Sequence, residues 1–204
     1  MKEFKSFLNI LSEQKVNRYK DISKAIIVSG CPGSGKDIVI REIISETHIT
    51  ELNHQQVYKF LADKDNLGKK SHDVRLESIR RHSSLLINAP ADDIDKILYI
   101  KEELEELGYQ TMMIFVNTTN ETSKQRNEHL TRMMVESVRQ TKWVKSQTNK
   151  DVFYEKFDNF QFFDNNGTLD TIEEDITSTY LNINKFLESK NYNDTATSWL
   201  ESHN

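Results

Sequence analysis

The 204-residue sequence is poor in cysteine, glycine and proline, and it has no long apolar run. One cysteine, Cys31, excludes a disulfide-stabilised scaffold. No apolar run approaches the roughly 20 residues that span a bilayer, and the charged N-terminal segment lacks the apolar core of a signal peptide. We therefore expect a protein that has no membrane partner and works in the reducing cytoplasm.

An excess of basic charge is also absent. The net charge is −5 and the mean hydropathy is −0.67. The negative net charge does not favour electrostatic binding of nucleic acid over the whole protein surface. Segment 68–82 is nevertheless locally basic, through Lys69, Lys70, Arg75, Arg80 and Arg81. This segment is either a patch that attracts a nucleotide or nucleic-acid substrate, or a solvated loop.

Apolar runs with strand character alternate with segments of helical spacing. Strands are expected at 24–29, 48–53, 83–89, 111–117 and 161–164. Helices are expected at 3–19, 37–46, 55–62, 92–107, 121–134, in a mixed region up to 157, and at 170–187, with another turn or two within 194–203. This alternation favours a three-layer α/β fold with a mostly parallel sheet. We expect a single domain over 1–204, with a leading helix (1–22), a core (24–165) and a helical tail (168–204).

Three of the six glycines lie in one six-residue stretch. The segment GCPGSGK at 30–36 matches the phosphate-loop (Walker A) pattern G-x-x-x-x-G-K, after an expected strand and before an expected helix. Glycine lets successive N–H groups point into one concavity, the helix N-terminus adds a positive dipole, and Lys36 can reach the phosphates. We expect the phosphates of a nucleotide to bind here, in contact with Gly30, Cys31, Pro32, Gly33, Ser34, Gly35, Lys36, Asp37 and Ile38.

Asp37 stands where this motif usually has Ser or Thr. The usual hydroxyl ligates Mg²⁺, and a carboxylate is a hard oxygen ligand that can hold the ion directly or through water. Asp37 is therefore the expected magnesium ligand, and the alternative is that it only caps the helix. Cys31 is interpreted as a small residue in a tight loop rather than a reactive thiol.

Three segments resemble small P-loop kinases of the zeta-toxin and polynucleotide-kinase group, especially members encoded by bacteriophages. They are GCPGSGK, INAPADDIDKILYIKEELEELGY and MMIFVNTTNETSKQRNEH. The resemblance implies a P-loop fold of about five strands with a helical lid, and an ATP- and Mg²⁺-dependent transferase that acts on a hydroxyl. The implied acceptor is a nucleotide, a nucleic-acid end or a modified DNA base, and the implied location is the cytoplasm of the phage's host cell.

The resemblance also implies lid arginines, which neutralise charge on the transferring phosphoryl group. Arg126 and Arg132 match two of these positions, and Leu130 occupies a third. The chain departs from the group where Asn88 replaces an acidic residue at the end of the third strand. It also lacks the catalytic aspartate that such kinases place after the second strand. His54 and Asp73 are the candidate general bases, since an imidazole with a pKa of about 6.5 can accept a proton.

These departures leave other functions open. The chain can be a nucleotide-binding accessory or interaction protein that transfers no phosphate, or a kinase of small molecules or sugar nucleotides. Arg139, Lys142 and Lys145 form a second basic cluster around Trp143, where a lid or substrate helix is expected. Trp143 can stack on a base or join an aromatic face with Phe153, Tyr154 and Phe157. By analogy with related folds, Asn165 ends the last strand near the adenine.

Overall fold

A computed structural model describes residues 22–46, 50–62, 78–79, 81–131, 133–167 and 169–203. Outside these ranges lie Asp73, Arg132, most of the basic segment 68–82 and residues 1–21 of the expected leading helix, so those expectations stay predictions. No helix within the described ranges is long and apolar enough to cross a membrane.

Within the described ranges, five parallel strands form the sheet. They are β1 (Ser23–Gly30), β2 (Thr50–Asn53), β3 (Leu85–Pro90), β4 (Tyr109–Asn117) and β5 (Phe160–Asp164), in the order β2-β3-β1-β4-β5. In β1, Ile26, Ile27 and Val28 are buried, as expected for a parallel strand that is covered on both faces. Because all strands are parallel, their carboxyl ends meet at one edge, where the loops that follow them come together.

Helices cover both faces of the sheet. They are α1 (Lys36–Glu46), α2 (His54–Ala62), α3 (Ile94–Glu106), α4 (Asn120–Glu128), α5 (Glu136–Lys156), α6 (Leu169–Glu188) and α7 (Asp194–His203). On one face, Val39 of α1 and Ile183 of α6 share a core cluster with Ile26. On the other face, Ile100 of α3 and Phe153 of α5 share a second cluster with the strands. The predicted three-layer α/β fold with five parallel strands is confirmed.

The helix expected at 121–134 is shorter than predicted and ends at Glu128. The reason is the side chain of Asn127, which is buried beneath the segment that follows the helix. Its Nδ2 donates to the carbonyl oxygen of Met134 at 2.8 Å, and its Oδ1 accepts from the Met134 N–H at 2.9 Å. These two bonds replace continued helical bonds and turn the chain toward α5.

The expected aromatic face is correct for Phe153 and Phe157, which are buried. Tyr154 is 70% exposed; it covers the edge strand β5 through an edge-to-face contact with Phe160, but it is not buried with the other two. Tyr154 follows Phe153 directly on α5, and neighbouring helical positions point about 100° apart, so only one of the two faces the core.

Candidate functional site

The loop between β1 and α1 has the backbone of a phosphate cradle. Gly33 and Gly35 have φ values of +69° and +77°, in the left-handed region that favours glycine. The Ser34 N–H donates to the Cys31 carbonyl oxygen at 3.1 Å, which closes the turn before α1 begins at Lys36. In the first turn of α1 the Ile38 N–H donates to the Gly35 carbonyl oxygen at 2.9 Å. The N–H groups of Lys36 and Asp37 before it have no preceding helical carbonyl, so they are available to an anion.

Lys36 and Asp37 bring opposite charges to this cradle. Lys36 is half-buried, and among the described residues no hydrogen bond or ion pair holds its ammonium group. Asp37 and Ile38 are exposed on the first turn of α1. This side chain is therefore available for phosphate oxygens, and its contact with a nucleotide stays a prediction.

The donors near the loop fit a magnesium ion that arrives with a nucleotide. Asp37 supplies one hard carboxylate oxygen donor beside the cradle. Within the described ranges there is no group of three or more His, Cys, Asp or Glu residues that could hold a metal. Mg²⁺ is commonly bound through one or two carboxylates, substrate phosphates and water, so Asp37 would hold the ion together with the nucleotide.

On the side facing β5, Arg126 and Asn165 hold the loop. Arg126 of α4 donates from Nη1 to the Gly33 carbonyl oxygen at 3.1 Å and from Nη2 to the Asn165 carbonyl oxygen at 2.9 Å. The buried Asn165 donates from Nδ2 to the Ser34 carbonyl oxygen at 2.6 Å. Arg126 thus joins the loop to the end of β5. Its role on the phosphoryl group, and that of Asn165 near the adenine, stay predictions.

Behind these contacts lies Arg139 of α5, whose side chain is fully buried. Its Nη1 donates to Ser123 Oγ at 2.7 Å and its Nη2 to Asn120 Oδ1 at 2.7 Å, while Nε and Nη2 bind Glu136 at 2.8 Å. Ser123 Oγ in turn donates to the carbonyl oxygen of Pro32 at 2.7 Å. The sequence placed Arg139 in a basic cluster and missed its burial. The one available signal was Glu136, three residues earlier on the same helix.

The other members of that cluster are used differently. Lys142 forms an ion pair with Asp92 at 2.5 Å, which joins α5 to the turn after β3. Trp143 donates its indole N–H to the carbonyl oxygen of Thr118 at 3.0 Å. Lys145 is exposed. The cluster therefore holds α5 over the carboxyl edge of the sheet, and stacking of Trp143 on a base stays a prediction.

Cys31 is packed into the loop. Its Sγ lies 3.9 Å from both the Thr118 carbonyl oxygen and Gln147 Nε2. Burial raises the pKa of the Cys31 thiol above its ordinary value, so the thiol is protonated at neutral pH. This environment suits a packed residue rather than a thiolate nucleophile.

His54 lies on the opposite side of the loop, at the start of α2. Its Nδ1 is 3.1 Å from the carbonyl oxygen of Asn88. Because a carbonyl only accepts, we assign the imidazole proton to Nδ1, which leaves Nε2 as the basic nitrogen. Burial lowers the pKa of His54 below its ordinary value, despite the bond to Asn88, so the ring is neutral at pH 7.

No protein-family model matches the sequence, and no curated protein matches it. Among solved structures, the chain is similar to a sugar kinase from Janibacter sp. HTCC2649, with 16% identity over 82% of this chain and 99% of that one and a TM-score of 0.48. A gluconokinase from Sinorhizobium meliloti 1021 is similar with 15% identity, over 83% and 99%, with a TM-score of 0.47. A chain of the Pnkp1/Rnl/Hen1 RNA repair complex is similar with 15% identity, over 67% of this chain and 48% of that one, with a TM-score of 0.51. At such low identity the comparison bears on the fold alone, and the chain of the RNA repair complex shares the α/β arrangement of this chain.

Proposed function

We propose that this protein is an ATP- and Mg²⁺-dependent kinase that transfers the γ-phosphate to a hydroxyl acceptor. The observation that carries this proposal is the loop before α1, with two left-handed glycines, an open helix N-terminus and the unpaired ammonium of Lys36. Phosphoryl transfer depends mainly on positioning and on stabilising negative charge, and these groups supply both.

His54 is the general base in this proposal. ATP supplies the phosphoryl group, and Lys36 stabilises the negative charge of that group. His54 Nε2 accepts the proton of the acceptor hydroxyl. As it does so, the hydroxyl oxygen forms the new bond to phosphorus and the bond between phosphorus and ADP breaks. The position of His54 supports this role, because α2 begins directly after β2 at the carboxyl edge of the sheet. A neutral imidazole with its proton held on Nδ1 suits a base.

The acceptor in this proposal is a hydroxyl of a nucleotide, a nucleic-acid end or a modified DNA base, in phage nucleic-acid metabolism within the host cytoplasm. Support comes from the segments 87–109 and 112–129, which resemble small P-loop kinases of the zeta-toxin and polynucleotide-kinase group in order and spacing. The chain of the RNA repair complex with a similar fold belongs to a protein assembly that acts on nucleic acid.

The first test combines ATP titration with a transfer assay. Wild type, Lys36→Ala and the control Lys156→Ala, an exposed lysine near the far end of α5, are titrated with ATP in the presence of Mg²⁺. We expect Lys36→Ala to weaken binding by about 2 kcal/mol or more, roughly thirtyfold, because a charged partner of the phosphates is lost. The control should bind like wild type.

The transfer assay offers γ-labelled ATP with 5′-hydroxyl oligonucleotides, modified-base DNA, nucleosides and sugar nucleotides. We expect label on one of the first three acceptors, and its loss in Lys36→Ala. Failure of wild type to bind ATP would contradict the proposal, as would equal binding by Lys36→Ala. Binding without label on any acceptor would instead favour the accessory protein, and label only on sugar nucleotides would favour a zeta-toxin-like kinase.

A further inference from the structure

Asp37 of α1 and Asn88 of β3 face each other beside the phosphate loop. Asn88 Nδ2 lies 3.4 Å from Asp37 Oδ1. In P-loop proteins these two places usually hold a Ser or Thr after the lysine and a carboxylate on the neighbouring strand, and together they hold Mg²⁺. In this chain the carboxylate follows Lys36 and the strand supplies a neutral side chain.

The strand position of Asn88 makes this pairing specific. In the parallel register Asn88 lies opposite Val28 of β1 and Asn53 of β2, two residues before the end of β3 at Pro90. Its own carbonyl oxygen is fixed by His54 Nδ1 at 3.1 Å. The Asn88 amide is therefore held at the carboxyl edge of the sheet, where a strand carboxylate would otherwise stand.

The residue type at position 37 accounts for the residue type at position 88. The Asn88 amide donates a hydrogen bond to Asp37, which an ionised carboxylate at position 88 cannot do. A second carboxylate at this distance would instead repel the first, unless a cation lay between them. An acid at position 37 is also favoured by the positive end of α1. The pair therefore has one carboxylate, as in the usual arrangement, but it lies on the helix and not on the strand.

We propose that Asp37 is the magnesium ligand of the bound nucleotide and that Asn88 is the positioning residue that orients it. This inference rests on the nucleotide binding proposed above. The donor set supports it, because within the described ranges no hydrogen bond reaches Asp37 Oδ2, which leaves that oxygen for a cation. The exchange of residue types retains the metal site instead of marking its loss.

The experiment measures the affinity for a non-hydrolysable ATP analogue by calorimetry, with Mg²⁺ and with EDTA, so that catalysis plays no part. The measured quantity is the gain in affinity that Mg²⁺ provides. Asp37→Ser should reduce this gain by about tenfold or more, as losses at metal sites commonly do. The double variant Asp37→Ser/Asn88→Asp recreates the usual arrangement and should recover the gain to within about threefold of wild type.

Two controls make the result specific. Asp95→Ser removes an exposed carboxylate from the first turn of α3 and should leave the magnesium gain unchanged. Thermal unfolding of each variant confirms that it folds.

Asn88→Asp alone should weaken binding of the analogue in EDTA, because two carboxylates then face the phosphates, and Mg²⁺ should reverse that loss.

The inference is overturned if Asp37→Ser keeps the full magnesium gain, or if the double variant is no better than Asp37→Ser. A wild type that binds the analogue in a Lys36-dependent way but shows either result contradicts this inference alone. A wild type that binds the analogue in neither solution contradicts the proposed function itself.

Discussion

The two sides of the phosphate loop differ in how completely their polar groups are paired. On the side of α4, α5 and β5, the groups of Ser123, Arg126, Arg139 and Asn165 are joined to each other or to loop carbonyls. On the side of β2 and β3, the described residues make fewer such contacts, among them the bond from the Ala91 N–H to the Gly30 carbonyl oxygen at 3.3 Å. Asp37 accepts one long bond from Asn88, and Lys36 has no partner among the described residues.

This difference suggests a division of work around one loop. Donors that are already used on carbonyl oxygens hold the loop in place before any ligand arrives, which is the preorganisation that phosphate-binding sites need. On the other side, the ammonium group of Lys36 loses no existing bond to a described residue when a ligand binds. We therefore expect phosphoryl transfer on the side of β2 and β3, the sparse side. The side of α4, α5 and β5, the paired side, is expected to hold the loop in position for it.

The sharpest test of this division is His54→Asn, on the sparse side. We expect the transfer rate to fall by about 10²–10⁴-fold, the usual contribution of a general base, while ATP affinity stays within about twofold. Steady-state transfer and calorimetry measure the two quantities. Added imidazole should restore part of the rate to a His54→Ala variant. His129→Asn, at the exposed end of α4, is the control and should change neither quantity.

The paired side is tested by Arg139→Met, which keeps much of the stem and removes the donors. We expect the free energy of unfolding to fall by about 3 kcal/mol, because each buried polar group left without its partner costs about 1–3 kcal/mol. Urea unfolding measures this change. Lys145→Met, exposed on the same helix, should alter stability by less than about 0.5 kcal/mol. Equal stability of the two variants would mean that the Arg139 bonds contribute nothing.

A smaller effect is expected where α4 touches the loop. In Gly33→Ala, the new Cβ would lie 2.9 Å from the Ser123 carbonyl oxygen at a φ of +69°, which should cost about 2 kcal/mol of stability and weaken ATP binding. Gly108→Ala is the matched control, since Gly108 has a φ of +86° and its Cβ would overlap the Trp199 ring. That variant should lose stability and keep its ATP affinity. Unchanged ATP affinity in Gly33→Ala would argue against a rigid cradle.

Local patterns in the sequence were sufficient for most of the fold and for the loop itself. The apolar run of β1, the glycines after it and the helical spacing of α1 lie within 24 residues, from Ser23 to Glu46. Asp93 caps α3, and its carboxylate accepts from the N–H of Lys96, three residues along the chain, at 3.4 Å. Each of these features depends on residues close together in the chain.

The remaining features depend on pairs that only the folded chain brings together. The end of α4 depends on how Asn127 binds Met134, which no helical propensity encodes. Burial of Arg139 depends on Ser123, 16 residues away on another helix. The partnership of Asp37 and Asn88 spans 51 residues and requires the parallel register of β3 beside β1.

The bond from Asn165 to the Ser34 carbonyl oxygen spans 131 residues. During synthesis, the whole glycine-rich motif leaves the ribosome long before the residue that secures it. A nascent chain that ends before β5 contains the three glycines and the lysine of the phosphate loop, yet lacks both the Asn165 amide and the carbonyl that anchors Arg126. Tight nucleotide binding would then begin only after the ribosome has translated β5 and the residue that follows it.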